Sequence, residues 1–175
     1  MKKKVIKLVL TALFAALTCV ATMIIKVPTF GTNGYVNIGA TIVLLCAWII
    51  GGVYGAVAAG VGSALADLLS GYASYAPGTL VIKFLMALVA FAIFYAFKKI
   101  KINKYVTYII SGIVAELIMI FGYFLYESTL LGYGLAAAGS IGSNAIQGVT
   151  CLALSLAAIV ALELSTATKL VKENI

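Results

Sequence analysis

The sequence predicts an all-α polytopic membrane protein, a single integral membrane domain over residues 1–175 folded as a bundle of six transmembrane helices with both termini in the cytoplasm. Three observations carry that prediction. Of the 175 residues, 64% are hydrophobic and 10% are charged, whereas a soluble domain is near half apolar and a quarter charged. The apolar runs repeatedly approach the roughly 20 residues needed to cross a hydrocarbon core. The net charge of +7 is carried entirely by lysine, and most of the lysines fall into three short groups. These are Lys2, Lys3, Lys4 and Lys7 at the start, Lys98, Lys99, Lys101 and Lys104 in one connection, and Lys169 and Lys172 at the end. Short lysine-rich segments stay on the cytoplasmic side, so an even number of spans follows, in a bacterial cytoplasmic membrane. Charge gathered this way points to membrane topology and away from a nucleic-acid partner.

The first span is placed at 5–25. Its lysine-rich start resembles a secretory signal, but the apolar run is too long for one and lacks a clear cleavage pattern. The segment 26–37 holds Pro28, Gly31 and Gly34 and reads as an external loop. Spans at 38–51 and 53–70 follow, separated only by Gly51 and Gly52 and therefore open to being short, tilted or partly merged, and Trp48 reads as an anchor at the inner interface. A second external loop at 70–78 precedes the span at 78–97. Beyond the lysine-rich inner connection lies a span at 105–127, then a third outer loop at 128–140 with Gly132, Gly134 and Gly139, and a last span at 141–166. Glu163 lies near the inner end, where it can snorkel among the terminal lysines. Cys19, Cys46 and Cys151 all fall in apolar runs and lack metal-site spacing, so they read as small packing residues.

Inside the predicted spans a few polar groups demand explanation. Asp67 lies four residues before Gly71 and Lys83 five after Gly78, which puts both about 6 to 8 Å below the outer surface at the helical rise. Uncompensated charge in a bilayer costs several kcal/mol, so the two are expected to face inward and meet, directly or through a ligand. Glu116 is eleven residues from both Tyr105 and Glu127, near the bilayer midplane, on the helical face of Tyr123 and Glu127. It suits a ligand acceptor or proton site, or a protonated carboxyl bonded to a neighbouring helix. Asn144 and Gln147 open a polar stripe on the last span and serve either as interhelical glue or as donor and acceptor pairs for a heterocycle. Above these groups the outer loops carry Phe30, Tyr35, Tyr72, Tyr75 and Tyr133, with Asn33 and Asn37. Such rings form an interfacial belt or a lid that stacks on a flat ligand. The candidate binding residues are therefore Tyr35, Asn37, Asp67, Tyr75, Lys83, Glu116, Tyr123, Asn144 and Gln147.

Small residues mark a second surface. Ala12 and Ala16 are spaced to let another helix approach closely, and Gly51, Gly55, Ala59, Ser63 and Asp67 form a ridge beside Ala56, Gly60 and Ala64 that tight internal packing explains. The chain has no histidine, no metal-ligand cluster, no nucleophile with its base and no phosphate-binding Gly-rich loop, so neither an enzyme nor a resident cofactor is expected.

Several segments in this order resemble one family. They are the basic start followed by Ala12-Leu13-Phe14-Ala15-Ala16, then Gly34-Tyr35-Val36-Asn37-Ile38-Gly39, Gly51-Gly52-Val53-Tyr54-Gly55, Gly62-Ser63-Ala64-Leu65-Ala66-Asp67-Leu68-Leu69, Tyr75-Ala76-Pro77-Gly78-Thr79-Leu80 up to Lys83, and Asn144-Ala145-Ile146-Gln147-Gly148. Across essentially the whole chain the sequence resembles substrate-binding S components of energy-coupling factor (ECF) vitamin transporters. That resemblance implies a six-helix subunit that captures a water-soluble vitamin or precursor at nanomolar-type affinity. It implies docking onto a transmembrane coupling protein and two cytoplasmic ATPases, with Ala12 and Ala16 at the contact, and a toppling motion that delivers the ligand. The implied pocket lies in the outer half, and the subfamily resembles members for small aromatic heterocycles such as hydroxymethylpyrimidine or pyridoxine. A stand-alone proton-coupled carrier using Glu116 and a non-transporting membrane scaffold are the alternative functions.

Overall fold

The computed structural model describes residues 2–165. The predicted end of the last span at 166, together with Lys169, Lys172 and the C-terminus, lies outside the described residues. Six helical segments run through the chain: α1 (Lys2–Ile24), α2 (Gly39–Leu45), α3 (Gly52–Leu69), α4 (Ala76–Lys99), α5 (Lys104–Leu125) and α6 (Ala138–Leu164). Five of the helical stretches are long and apolar enough to cross a membrane. The exception is the predicted second span. There α2 passes into a wide π-helical turn, Cys46–Ile50, and the continuous helix covers only Gly39–Ile50, about 18 Å at the helical rise. This segment is buried among its neighbours, with Val43, Leu44 and Cys46 fully enclosed. Its apolar sequence reflects a place in the core more than contact with lipid.

The break after that segment has a backbone cause. Gly51 and Gly52 take φ of +69° and +56°, and the Gly51 amide closes the wide turn on the Cys46 carbonyl at 3.0 Å. Left-handed backbone costs a side-chain-bearing residue about 1–2 kcal/mol, so paired glycines reverse the chain here at little strain. At the turn between α4 and α5, Asn103 caps α5, its Oδ1 accepting from the amides of Tyr105 and Val106 at 2.9 and 3.4 Å.

Small residues set the helix spacing, as the ridge on α3 suggests. A Cβ added at Gly62 would stand 2.3 Å from the Ala15 carbonyl oxygen and 2.8 Å from Thr18 Cβ. Helices α1 and α3 therefore meet backbone to backbone at this point. Gly62→Ala is expected to force them apart and lower stability by about 1–3 kcal/mol, the usual range for overpacking. Gly142→Ala, where an added Cβ meets nothing within 4 Å, serves as the control in a detergent melting experiment.

Trp48 corrects another expectation. It is 2% exposed, its indole Nε1 donates to Ser111 Oγ at 3.1 Å, and its ring packs 4.9 Å from that of Tyr108. A buried indole with a satisfied N–H is a core residue, not an interfacial anchor. Glu163 finds partners among the described residues on α5, while the terminal lysines expected near it lie outside them. It accepts from Lys104 Nζ at 2.6 Å and from Tyr108 hydroxyl at 2.9 Å, so it fastens α6 to the start of α5.

The outer connections are more ordered than the breakers in them suggest. Between α1 and α2, strands β1 (Lys26–Pro28) and β2 (Tyr35–Asn37) pair antiparallel, with Val27 opposite Val36. The 128–140 connection is also largely helical, with a π turn at Tyr126–Leu130 and a 3-10 turn at Gly134–Ala137. Helix α4 begins two residues earlier than expected, at Ala76, because Pro77 suits the first helical turn.

Candidate functional site

The β hairpin lies over the mouths of α3, α4, α5 and α6 and closes a cavity. Its walls include Tyr35 and Asn37 from the hairpin, Asp67 and Ser63 from α3, Tyr75, Thr79 and Lys83 at the start of α4, and Tyr123, Glu127 and Asn144 from the far side. The cavity volume is about 20 Å³, room for about one water molecule.

Each wall follows from its element. Asp67 sits on the buried face of α3, four residues beyond Ser63 and eight beyond Ala59, so one helical ridge carries packing residues at one end and a carboxylate at the other. Tyr35 hydroxyl donates to Asp67 Oδ1 at 2.6 Å. Burial, and then that carboxylate, push the Tyr35 hydroxyl well above the ordinary tyrosine value, so it remains a donor. Asp67 Oδ2 is buried without a hydrogen-bond partner. Lys83, one helical turn beyond Thr79 on α4, is 2% exposed, and its ammonium donates to the Met119 thioether at 3.0 Å and lies 5.6 Å from the Tyr123 ring centre. Lys83 and Asp67 share the cavity but form no ion pair within 4.0 Å, the Lys104–Glu163 pair being the salt bridge found among the described residues. Direct pairing of Asp67 with Lys83 is therefore not how the fold compensates these charges.

The roof is aromatic. Tyr35 and Tyr72 rings stand 4.4 Å apart, and Tyr72 to Tyr75 and Tyr75 to Tyr126 continue the row at 6.4 Å each. Phe30 at the hairpin tip is 82% exposed and takes no part in it. The hairpin is pinned at its base by Gln147, whose Oε1 accepts from the Asn37 amide at 2.5 Å, and by Cys151, whose thiol donates to the Asn37 carbonyl at 3.4 Å.

Seven of the nine sequence-predicted binding residues thus line one cavity: Tyr35, Asn37, Asp67, Tyr75, Lys83, Tyr123 and Asn144. Gln147 does not; its amide is spent on the Asn37 backbone and on Met119, to which its Nε2 donates at 2.8 Å. Glu116 is also outside the cavity. It is buried at the α5–α6 contact against Gly148, and neither carboxyl oxygen has a hydrogen-bond partner. The sequence reading placed Glu127 on the right face but gave it no role. Its carboxylate is 2% exposed and holds the roof together, accepting from Tyr75 hydroxyl at 3.1 Å and Ser140 hydroxyl at 2.5 Å. A carboxylate at the predicted end of a span reads as solvated; its spacing of four from Tyr123 was the available signal.

An aromatic roof over a buried carboxylate, ammonium and amide, in a six-helix membrane protein, is the setting in which comparison with known proteins becomes informative. The family model described as "ECF-type riboflavin transporter, S component" matches residues 2–168. The chain belongs to that family. This S component also superposes on a solved structure described as the S component of a bacterial ECF transporter, with a TM-score of 0.65, 21% identity, and coverage of 90% of this chain and 95% of the other. At that identity the likeness establishes the shared fold. An "uncharacterized protein in gap 3'region" of Pyrococcus woesei is 35% identical over 119 residues, 68% of this S component and 76% of the relative. The protein is accordingly a membrane-embedded substrate-capture subunit of an ECF transporter and not an enzyme. In such transporters the ATPase role belongs to partner subunits.

Proposed function

We propose that this S component captures a flat, polar heterocyclic vitamin between the tyrosine roof and the Asp67–Lys83 floor. The observation that supports the reading is the pair of unsatisfied groups in one cavity: Asp67 Oδ2 without a donor, and an ammonium whose hydrogen-bonding acceptor is a thioether. Buried polar groups of this kind carry a desolvation cost of about 1–3 kcal/mol or more when left without a good partner. A ring edge that offers a donor next to an acceptor relieves both at once, and tyrosine faces stack on its plane.

The family description makes riboflavin the first candidate. Its isoalloxazine ring carries N–H and C=O groups on one edge, and its ribityl chain suits the hydroxyl-bearing walls at Thr79 and Ser63. Hydroxymethylpyrimidine or pyridoxine is the second reading, favoured by the small cavity, since a single ring displaces less of the roof. Delivery then rests on docking to a coupling protein and two ATPases, with Ala12 and Ala16 as the docking pair.

Purified protein, analysed by mass spectrometry for co-purifying small molecules and titrated with each compound, separates the readings. Riboflavin is expected to lose its fluorescence on saturable binding and to raise the melting temperature. A shift with pyridoxine or hydroxymethylpyrimidine and none with riboflavin selects the single-ring reading. No shift with any of them at micromolar concentration defeats the capture reading and leaves the scaffold. Uptake that persists without ATPases and stops with a proton uncoupler would favour the carrier.

A further inference from the structure

At the end of the bundle opposite the cavity, the turn between α4 and α5 encloses a second pocket, lined by Phe94, Lys98, Ile102, Lys104, Thr107 and Tyr108, with a volume of about 240 Å³. We propose that it is a binding site for the phosphate and glycerol of an anionic phospholipid.

The pocket is built, not merely charged. Lys101 takes φ of +59°, and the turn closes through the Lys101 amide on the Lys98 carbonyl at 3.2 Å and the Ile102 amide on the Phe97 carbonyl at 3.1 Å. This tight reversal brings Lys98 and Lys104, six residues apart on two helices, to one mouth. The floor is apolar: the Phe94 and Tyr108 rings stack at 5.0 Å and 18°, and the Trp48 ring packs 4.9 Å from that of Tyr108. Polar groups within it are already satisfied, Thr107 hydroxyl donating to the Asn103 carbonyl at 3.0 Å and Tyr108 hydroxyl to Glu163 at 2.9 Å.

Charge selects the ligand. Lys98 and Lys104 line the opening, Lys99 and Lys101 are exposed in the same turn, and among the described residues Glu163, bonded to Lys104 and Tyr108, is the carboxylate that meets them. Among the described residues this turn sets four cations against one anion, which attracts a negatively charged group, and the apolar floor favours one carried on a less polar body. A pocket between transmembrane helices at the headgroup level meets that description in a phospholipid, and basic pockets of this kind recognise anionic headgroups. A free phosphate ion would use the lysines and leave the aromatic floor unused.

The test compares retention of phosphatidylglycerol and phosphatidylcholine by the full-length protein in native mass spectrometry. Phosphatidylglycerol is expected to be retained preferentially. Lys98→Gln should cut that preference about fivefold, the factor corresponding to roughly 1 kcal/mol per basic residue near an anionic surface, while Lys3→Gln, at a lysine that does not line the pocket, should leave most of it. Lys98→Gln spares the Lys104–Glu163 pair, so its melting temperature should stay unchanged. Equal retention of the two lipids overturns the proposal, as does a preference that Lys98→Gln and Lys104→Gln together do not reduce. Displacement of the lipid by millimolar inorganic phosphate would assign the pocket to a soluble anion and overturn the lipid assignment.

Discussion

Ala12→Leu with Ala16→Leu is expected to abolish ligand uptake by cells carrying the complete transporter, while ligand affinity of the purified protein stays within about twofold of the parent. The separation follows from where α1 spends its faces. Thr18 is fully buried, and α1 meets α3 at Ala15 and Thr18, against the missing side chain of Gly62. Ala12 and Ala16 are exposed on the other side, among Leu8, Val9, Leu13 and Val20, each more than half exposed. A groove floored by two methyl groups and walled by larger chains receives a partner helix at close range, and such packing is the main source of helix association in lipid, where no hydrophobic drive remains. Two leucines fill that groove without touching the cavity, whose wall on α1 is Thr22, six residues beyond Ala16. Transport assays paired with binding titrations decide the matter. Retained uptake would move the docking surface elsewhere, and lost binding would show that the substitutions had disturbed the bundle itself.

The cavity was partly legible in the sequence for a reason that has limits. Charged residues in apolar runs are costly, so Asp67 and Lys83 announced themselves, and counting residues from the flanking glycines put them at one depth, where the fold brings both to one cavity. Their lack of a mutual ion pair was not legible, because a side-chain distance depends on helix rotation that residue counting leaves open. Gln147 shows the same limit more sharply. Its amide oxygen is consumed by the Asn37 backbone N–H, 110 residues away, and that donor is held there because a hairpin forms in a segment whose proline and glycines read as irregular loop. Strands of three residues are too short to display an alternating pattern. Trp48 went astray through composition: an apolar run buried in protein and one buried in lipid have the same sequence, although the bounds of the short second helical segment, placed at 38–51, fall within one residue of the observed Gly39–Ile50. Apolar runs read between chain breakers did well where helices are long, and the predicted ends of α3 and α4 fall within two residues of the observed ones.

Lys83→Met is expected to weaken ligand binding about 10- to 150-fold without lowering the melting temperature of the protein. A hydrogen bond to a charged group contributes about 1.5–3 kcal/mol, and inside a low-dielectric cavity there is little water to substitute for it. Stability should respond differently. The ammonium has no carboxylate within 4.0 Å and donates to a thioether, so in the free protein its desolvation is poorly offset. Methionine keeps most of the chain's volume beside Met119 and Tyr123 and removes the charge, which leaves the melting temperature equal or higher. A structural ion pair would behave in the opposite sense, since breaking one strands its partner at a cost of about 3–5 kcal/mol. Asp67→Asn completes the comparison: it retains an acceptor for the Tyr35 hydroxyl, now bonded at 2.6 Å, and is expected to cost affinity through the other carboxyl oxygen while the roof stays closed. If both variants instead lose folded protein in parallel, Lys83 and Asp67 hold the bundle together, and the ligand must find its charged contacts at Glu127.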